Sequence, residues 1–143
     1  WFNVARQTGR LLNLQDQVTQ PQIINRLKEQ YGDRQTITRY AQYVIRSFVA
    51  WGALRDSETK GCYVKGETVT VLDQNLVSLM VEAALHANPE GKETLGLLLN
   101  APAFFPFQLL VISGSSITQG NERVDVIRYG LDDELLKLKT FVD

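Results

Sequence analysis

The stretch Thr36–Gly52 reads TITRYAQYVIRSFVAWG, and its interpretation decides the fold. Ile37, Ala41, Val44, Ile45, Phe48 and Trp51 recur at spacings of three and four. That is the period of a single apolar stripe along an α-helix, which must pack on a core. Arg39, Gln42, Tyr43 and Arg46 recur at helical spacings on the other side, so they share an outward face. Thr36 is placed to cap this helix and Gly52 to stop it, predicting a helix from Thr36 to Trp51.

Before this helix, Gly32-Asp33-Arg34-Gln35 is turn chemistry. Another helix precedes the turn. Thr19 can cap it, Pro21 suits its first turn, and Ile23, Ile24, Leu27 and Tyr31 keep helical spacing, which predicts Gln20 to Tyr31 with Gly32 as the stop. Residues 1–14 read as a short helix ending near Gly9, then an extended Leu11 to Leu14. After Gly52 the pattern turns β-prone: Ala53 to Arg55, a polar tip from Asp56 to Gly61, then Cys62 to Lys65 make an antiparallel hairpin, with Thr68 to Leu72 as a third strand.

The second half is read more coarsely. An apolar helix starts at Asp73 or Asn75 and runs to His86, and a Leu-rich helix covers Thr94 to Asn100. The segment Phe104-Phe105-Pro106-Phe107 is read as aromatic packing of this half onto the helices. Leu109 to Ile112 and Arg123 to Tyr129 are predicted strands, with Ser113 to Asn121 a polar loop between them. Asp132, Asp133 and Glu134 near its start and Lys137 and Lys139 near its end suit a last helix from Asp132 to Lys139.

Composition narrows the classes. At 143 residues with 44% hydrophobic side chains, the chain can bury a core without disulfide or metal support. The single Cys62 closes no intrachain disulfide, and with the single His86 it supplies too few ligands for a protein-only zinc site. No metal or other cofactor is expected, and a reducing, cytoplasmic compartment suits this cysteine usage. No apolar run approaches the roughly 20 residues of a membrane span, and no basic-then-apolar signal segment opens the chain, so no membrane partner is expected. Net charge is −1 but unevenly spread. Residues 1–71 hold ten Lys/Arg and six Asp/Glu, net +4, while residues 72–143 hold five and ten, net −5. A basic half and an acidic half suggest that one surface meets a polyanion.

The order helix, tight turn, longer helix with a basic outer face, then hairpin resembles the winged helix-turn-helix superfamily of DNA-binding domains over residues 1–72. The resemblance implies an α+β fold, with a winged helix-turn-helix (1–72) followed by an acidic, helical and short-strand C-terminal extension (73–143). It also implies that the helix Thr36 to Trp51 enters the major groove of double-stranded DNA while the hairpin wing touches an adjacent groove or the backbone. On that mapping Arg39, Gln42, Tyr43 and Arg46 face the groove, and Thr36 and Thr38 sit at the helix start, where backbone N–H groups can meet a phosphate. The residue types fit: Arg can pair with guanine O6 and N7, Gln with adenine N6 and N7, and Tyr can reach phosphate or sugar. Arg34 in the turn and Lys60 at the wing tip are expected phosphate contacts.

The competing expectation is a winged helix that contacts protein, as an interaction or assembly subunit of a larger complex; the acidic Asp56 and Glu58 beside Lys60 point that way. The C-terminal half is the expected contact for a homodimer or a protein partner. Enzymatic chemistry is not expected. Asp132-Asp133-Glu134 is explained by capping, Ser113 to Ser116 lacks the Lys-Ser/Thr ending of a phosphate loop, His86 ends a helix, and Cys62 is a small core residue.

Overall fold

A computed structural model describes residues 1–129 and 133–139, a mixed α+β chain that divides into two compact units. One comprises Trp1–Val69 with Pro102–Phe107, and the other Thr70–Ala101 with Gln108–Asp143.

The first unit runs α1 (Phe2–Leu14), β1 (Gln17–Thr19), α2 (Gln20–Tyr31), α3 (Gln35–Ala50), β2 (Leu54–Asp56) and β3 (Cys62–Lys65). Its three strands form an antiparallel sheet ordered β1-β3-β2, with Val18 opposite Tyr63 and Arg55 opposite Val64. Each helix turns one stripe inward. Val4 and Leu11 of α1, Ile23, Ile24 and Leu27 of α2, and Ala41, Val44, Ile45 and Phe48 of α3 form one buried cluster with Val18 and Leu54. Such burial is worth about 1.5–3 kcal/mol for each fully enclosed Val, Leu, Ile or Phe.

The start of α2 follows its sequence signals closely. The Gln22 N–H donates to Thr19 Oγ1 (3.3 Å) and the Thr19 N–H to Gln22 Oε1 (2.9 Å), a reciprocal capping box with Pro21 in the first turn. Gly32 (φ 88°) and Gly52 (φ 78°) lie beyond the ends of α2 and α3 in the left-handed half of backbone space that favours glycine.

Other expectations for this unit change. α1 does not stop at Gly9 and no extended segment follows; the helix continues to Leu14. Gly9 is there for closeness, since a Cβ at that position would lie 1.7 Å from the Pro102 carbonyl oxygen. Thr36 is not the cap of α3. The helix begins at Gln35 with Arg34 at the N-cap and no side-chain capping bond, which puts Thr36 in the first turn. Trp51, expected in the core, is 69% exposed and stacks on Trp1 with centroids 5.1 Å apart. The third strand of the hairpin sheet is β1, not the stretch 68–72, because β3 takes β1 as its second neighbour.

The remaining elements are β4 (Val69–Val71), α4 (Gln74–Ala87), β5 (Lys92–Thr94), α5 (Leu95–Leu99), a 3-10 turn (Pro102–Phe104), β6 (Phe107–Leu109), α6 (Gly114–Gly120), β7 (Val124–Tyr129) and β8 (Asp133–Leu138). β4 pairs with β6. In the second unit β5-β8-β7 form an antiparallel sheet, against which α4, α5 and α6 pack. Val77, Val81, Leu85, Ile117, Val124 and Leu136 are almost wholly enclosed.

Two readings fail here. Residues 113–121 form helix α6 rather than a loop: Ser113 Oγ accepts from the Ser116 N–H (3.2 Å), and the one large apolar residue of the stretch, Ile117, is fully buried. The expected last helix is strand β8 over residues 133–138, and Asp132 lies outside the described residues. Glu, Leu and Lys favour helix locally, but β8 is the central strand, bonded by β5 on one side and β7 on the other. Of the predicted strand Leu109 to Ile112, only Leu109 lies in a strand, at the end of β6. Phe105 does pack on helices, its ring meeting Phe48 edge-on at 5.4 Å within the first unit.

Candidate nucleic-acid interface

α3 carries the candidate site because its buried stripe leaves the opposite side free. With Ala41, Val44, Ile45 and Phe48 turned inward, the helical period places Arg39, Gln42, Tyr43 and Arg46 outward, and all four are exposed. Tyr43 shows 73% of its surface. Together with Gln20 from the first turn of α2, they line an open groove of about 450 Å³.

Gln20 escaped the sequence reading. Its place is set by the capping box one residue earlier and by its own side chain, whose Nε2 donates to the Tyr63 hydroxyl on β3 (3.0 Å). One side chain thus links α2 to the hairpin strand beside the groove. The available signal was positional: Gln20 is the first residue of a well-capped helix, where the chain presents unsatisfied N–H groups and a polar side chain to an approaching anion.

The other expected contacts lie apart from the groove lining. Arg34 is exposed at the N-cap of α3, Thr36 is exposed one turn from the groove-facing set, Thr38 is half-buried, and Lys60 is exposed in the turn between β2 and β3. Asp56, the last residue of β2, and Glu58, in the same turn as Lys60, are exposed beside it. Among the described residues, Arg34, Arg39, Arg46 and Lys60 have no acidic side chain within ion-pair distance. Four exposed cations without an internal counter-ion can therefore meet an anion with no ion pair to break first. In the same turn region, Lys28 is held 3.2 Å from Asp33 and is less available.

The second unit uses its chemistry internally. Glu82 of α4 is 5% exposed and takes two hydrogen bonds from Arg123, to Oε1 (2.5 Å) and Oε2 (3.0 Å), and one from Asn121 Nδ2 (2.6 Å). His86 Nε2 lies 3.5 Å from the same carboxylate. The Arg123 hydrogen bond, aided by Asn121 and the Arg123 charge and opposed by burial, holds the Glu82 carboxyl down to about 2. That is a satisfied structural carboxylate, with no open side for a substrate. Glu134 likewise accepts the Gly114 N–H at 2.5 Å. Cys62 is half-buried in β3. Among the described residues no three His, Cys, Asp or Glu side chains gather to hold a metal, and no helix is long and apolar enough to cross a membrane.

No protein-family model matches the chain, and neither does any curated protein or solved structure.

Proposed function

We propose that this chain is a non-enzymatic protein that binds double-stranded DNA, as a transcription regulator or a DNA-binding subunit, through the outer face of α3. The carrying observation is the groove itself: Arg39, Gln42, Tyr43 and Arg46 stand exposed side by side, and neither arginine is ion-paired among the described residues. The order α1-β1-α2-α3-β2-β3 with sheet order β1-β3-β2 supports reading this unit as a winged helix-turn-helix. On that reading α3 lies in the major groove, Arg39 and Arg46 pair with guanine edges, Gln42 with adenine, and Tyr43 with sugar or phosphate. Gln20, Arg34 and the start of α3 take phosphates, and Lys60 on the wing adds a weaker contact. Two copies reading half-sites roughly 34–36 Å apart would suit such a target, and a cytoplasmic location would suit the function.

A fluorescence-anisotropy titration with pooled duplex DNA at several salt concentrations tests this. Affinity should fall steeply as salt rises, and each of Arg39→Ala and Arg46→Ala should cost about 1–3 kcal/mol and relax base preference. The competing reading, a winged helix that docks on protein, draws on the exposed Asp56 and Glu58 beside Lys60. It gains if duplex is not bound even at low salt while a stable partner co-purifies through this unit.

A further inference from the structure

Building on its reading as a nucleic-acid surface, we propose that the outer face of α3 also takes a strand with unpaired bases, which stack on a platform built around Trp51. The platform is held in place from below. Trp51, the C-cap of α3, stacks on Trp1, the N-cap of α1, with ring centroids 5.1 Å apart and planes 19° from parallel. Phe48 supports the pair from the core, its ring centroid 6.2 Å from that of Trp1 and 6.5 Å from that of Trp51, and Phe105 meets Phe48 edge-on. Even so, Trp1 is 51% and Trp51 69% exposed. A stacked pair uses one face of each ring, which leaves Trp51 a second face for another flat partner.

The aromatic surface continues along the helix. Tyr40 and Tyr43 are exposed, and Tyr40, Tyr43, Ser47 and Trp51 succeed one another at spacings of three, four and four, which keeps them on one side of α3 over about 17 Å. Binding of a duplex gives Tyr40 and Trp51 nothing to do. In a double helix the flat faces of the bases are covered by their neighbours, and a protein in the grooves meets only edges, sugars and phosphates. Rings stack on bases where the strand is single.

Charge selects the occupant. α1 and α3, the helices that Trp1 and Trp51 cap, hold Arg6, Arg10, Arg39 and Arg46 and no carboxylate. Arg39 and Arg46 flank Tyr43 at spacings of four and three, and neither has an acidic side chain within ion-pair distance among the described residues. An apolar peptide or a sugar would cover the rings and leave these cations unused, while an acidic peptide would meet the cations and offer the rings no flat face. A single strand presents a phosphate and a flat base in every nucleotide, so it answers the arginine row and the aromatic row together.

Tryptophan emission of the full chain is the test, because both of its two tryptophans belong to the platform. Oligothymidylate of about ten nucleotides, within the usual footprint of a single-strand site, should quench that emission saturably, and less as salt rises. A strand of the same length made of abasic sites keeps every phosphate and loses every base. It should bind about ten-fold more weakly and leave the emission unchanged. In an anisotropy titration with labelled oligothymidylate, Trp51→Ala should weaken binding by about ten-fold, and Trp51→Phe, which restores a ring, should recover most of the loss. Oligothymidylate that does not quench at low salt overturns the proposal. So does an abasic strand bound as tightly as oligothymidylate, or binding indifferent to Trp51→Ala. Duplex titrated under the same conditions separates this proposal from the groove reading: if duplex binds and oligothymidylate does not, only the stacking platform falls, and if neither binds, both fall.

Discussion

α3 and α4 are built alike and turned to different ends. Each buries a stripe of aliphatic side chains, Ala41, Val44 and Ile45 in one and Val77, Val81 and Leu85 in the other. α3 then shows Arg39, Gln42, Tyr43 and Arg46 to solvent, while α4 shows Leu76 and Leu79. Their charged groups are treated in opposite ways. The α3 arginines stand without carboxylate partners among the described residues, whereas the α4 carboxylate is buried and bonded by Arg123. Hydrophobic burial alone would make the two helices equivalent. The satisfaction of charge separates them, because an ion held inside contributes to stability and one left outside is free for a ligand.

The largest expected effect attacks the buried side of that contrast. Arg123→Ala leaves Glu82 with Asn121 and His86 only, and should lower the midpoint of urea unfolding, because the carboxylate stays buried while its charged partner is gone. Alanine at Arg39 or Arg46, with no internal partner to lose, should change stability by less than about 0.5 kcal/mol. If Arg39→Ala unfolded the protein as readily as Arg123→Ala, the distinction between the two faces would collapse.

Acid sharpens the same point. An unfolded glutamate titrates near about 4.3, and in the folded chain Glu82 is held to about 2. The folded pKa is the lower one, so this stabilisation is complete above the unfolded value and is lost as pH falls from there through the folded value. Unfolding free energy followed over that range should drop in the parent chain, and Arg123→Ala should flatten the drop.

Next in size are the effects on the exposed side. In duplex binding, Arg39→Ala and Arg46→Ala should each cost about 1–3 kcal/mol while Arg123→Ala leaves the affinity of the folded protein unchanged. Arg34→Ala should weaken binding evenly across sequences and reduce the salt slope by about one unit, with Lys60→Ala giving a smaller change in the same sense. A local effect of about 1 kcal/mol is expected in thermal or urea unfolding for Thr19→Ala, which removes the side-chain acceptor for the Gln22 N–H.

Much of the first unit was legible in its residues. The helix from Gln20 to Tyr31 agrees to the residue, because Thr19, Pro21 and Gly32 are local signals that act on their own neighbours. The shared face of Arg39, Gln42, Tyr43 and Arg46 was equally legible, since helical period alone places them together. Gln20 was not, because its place beside them depends on Tyr63, forty-three residues away in sequence. Gly9 misled for a similar reason: glycine is both a helix stop and a close-packing residue, and only the position of Pro102 distinguishes the two. The second unit was less legible. Residues 133–138 have the composition of a helix, yet hydrogen bonding from strands on both sides outweighs that local preference. Residues 114–120 carry so few apolar side chains that no period shows, and one buried isoleucine with a serine cap suffices in context.

By itself the sequence determined what local physics can specify: where α2 begins and ends, which side chains share the outer face of α3, that a hairpin follows, and that net positive and net negative charge fall in different halves. Tertiary structure alone decided which strand joins the hairpin as its third member, that the end of the described chain is a strand, that residues 102–107 return to the first unit, and that Glu82 meets Arg123 and Asn121. The reason is one of range. Capping, helical period and turn preference act over a few residues and are written in them, whereas strand pairing and the neutralisation of a buried charge depend on partners that only the folded chain brings together.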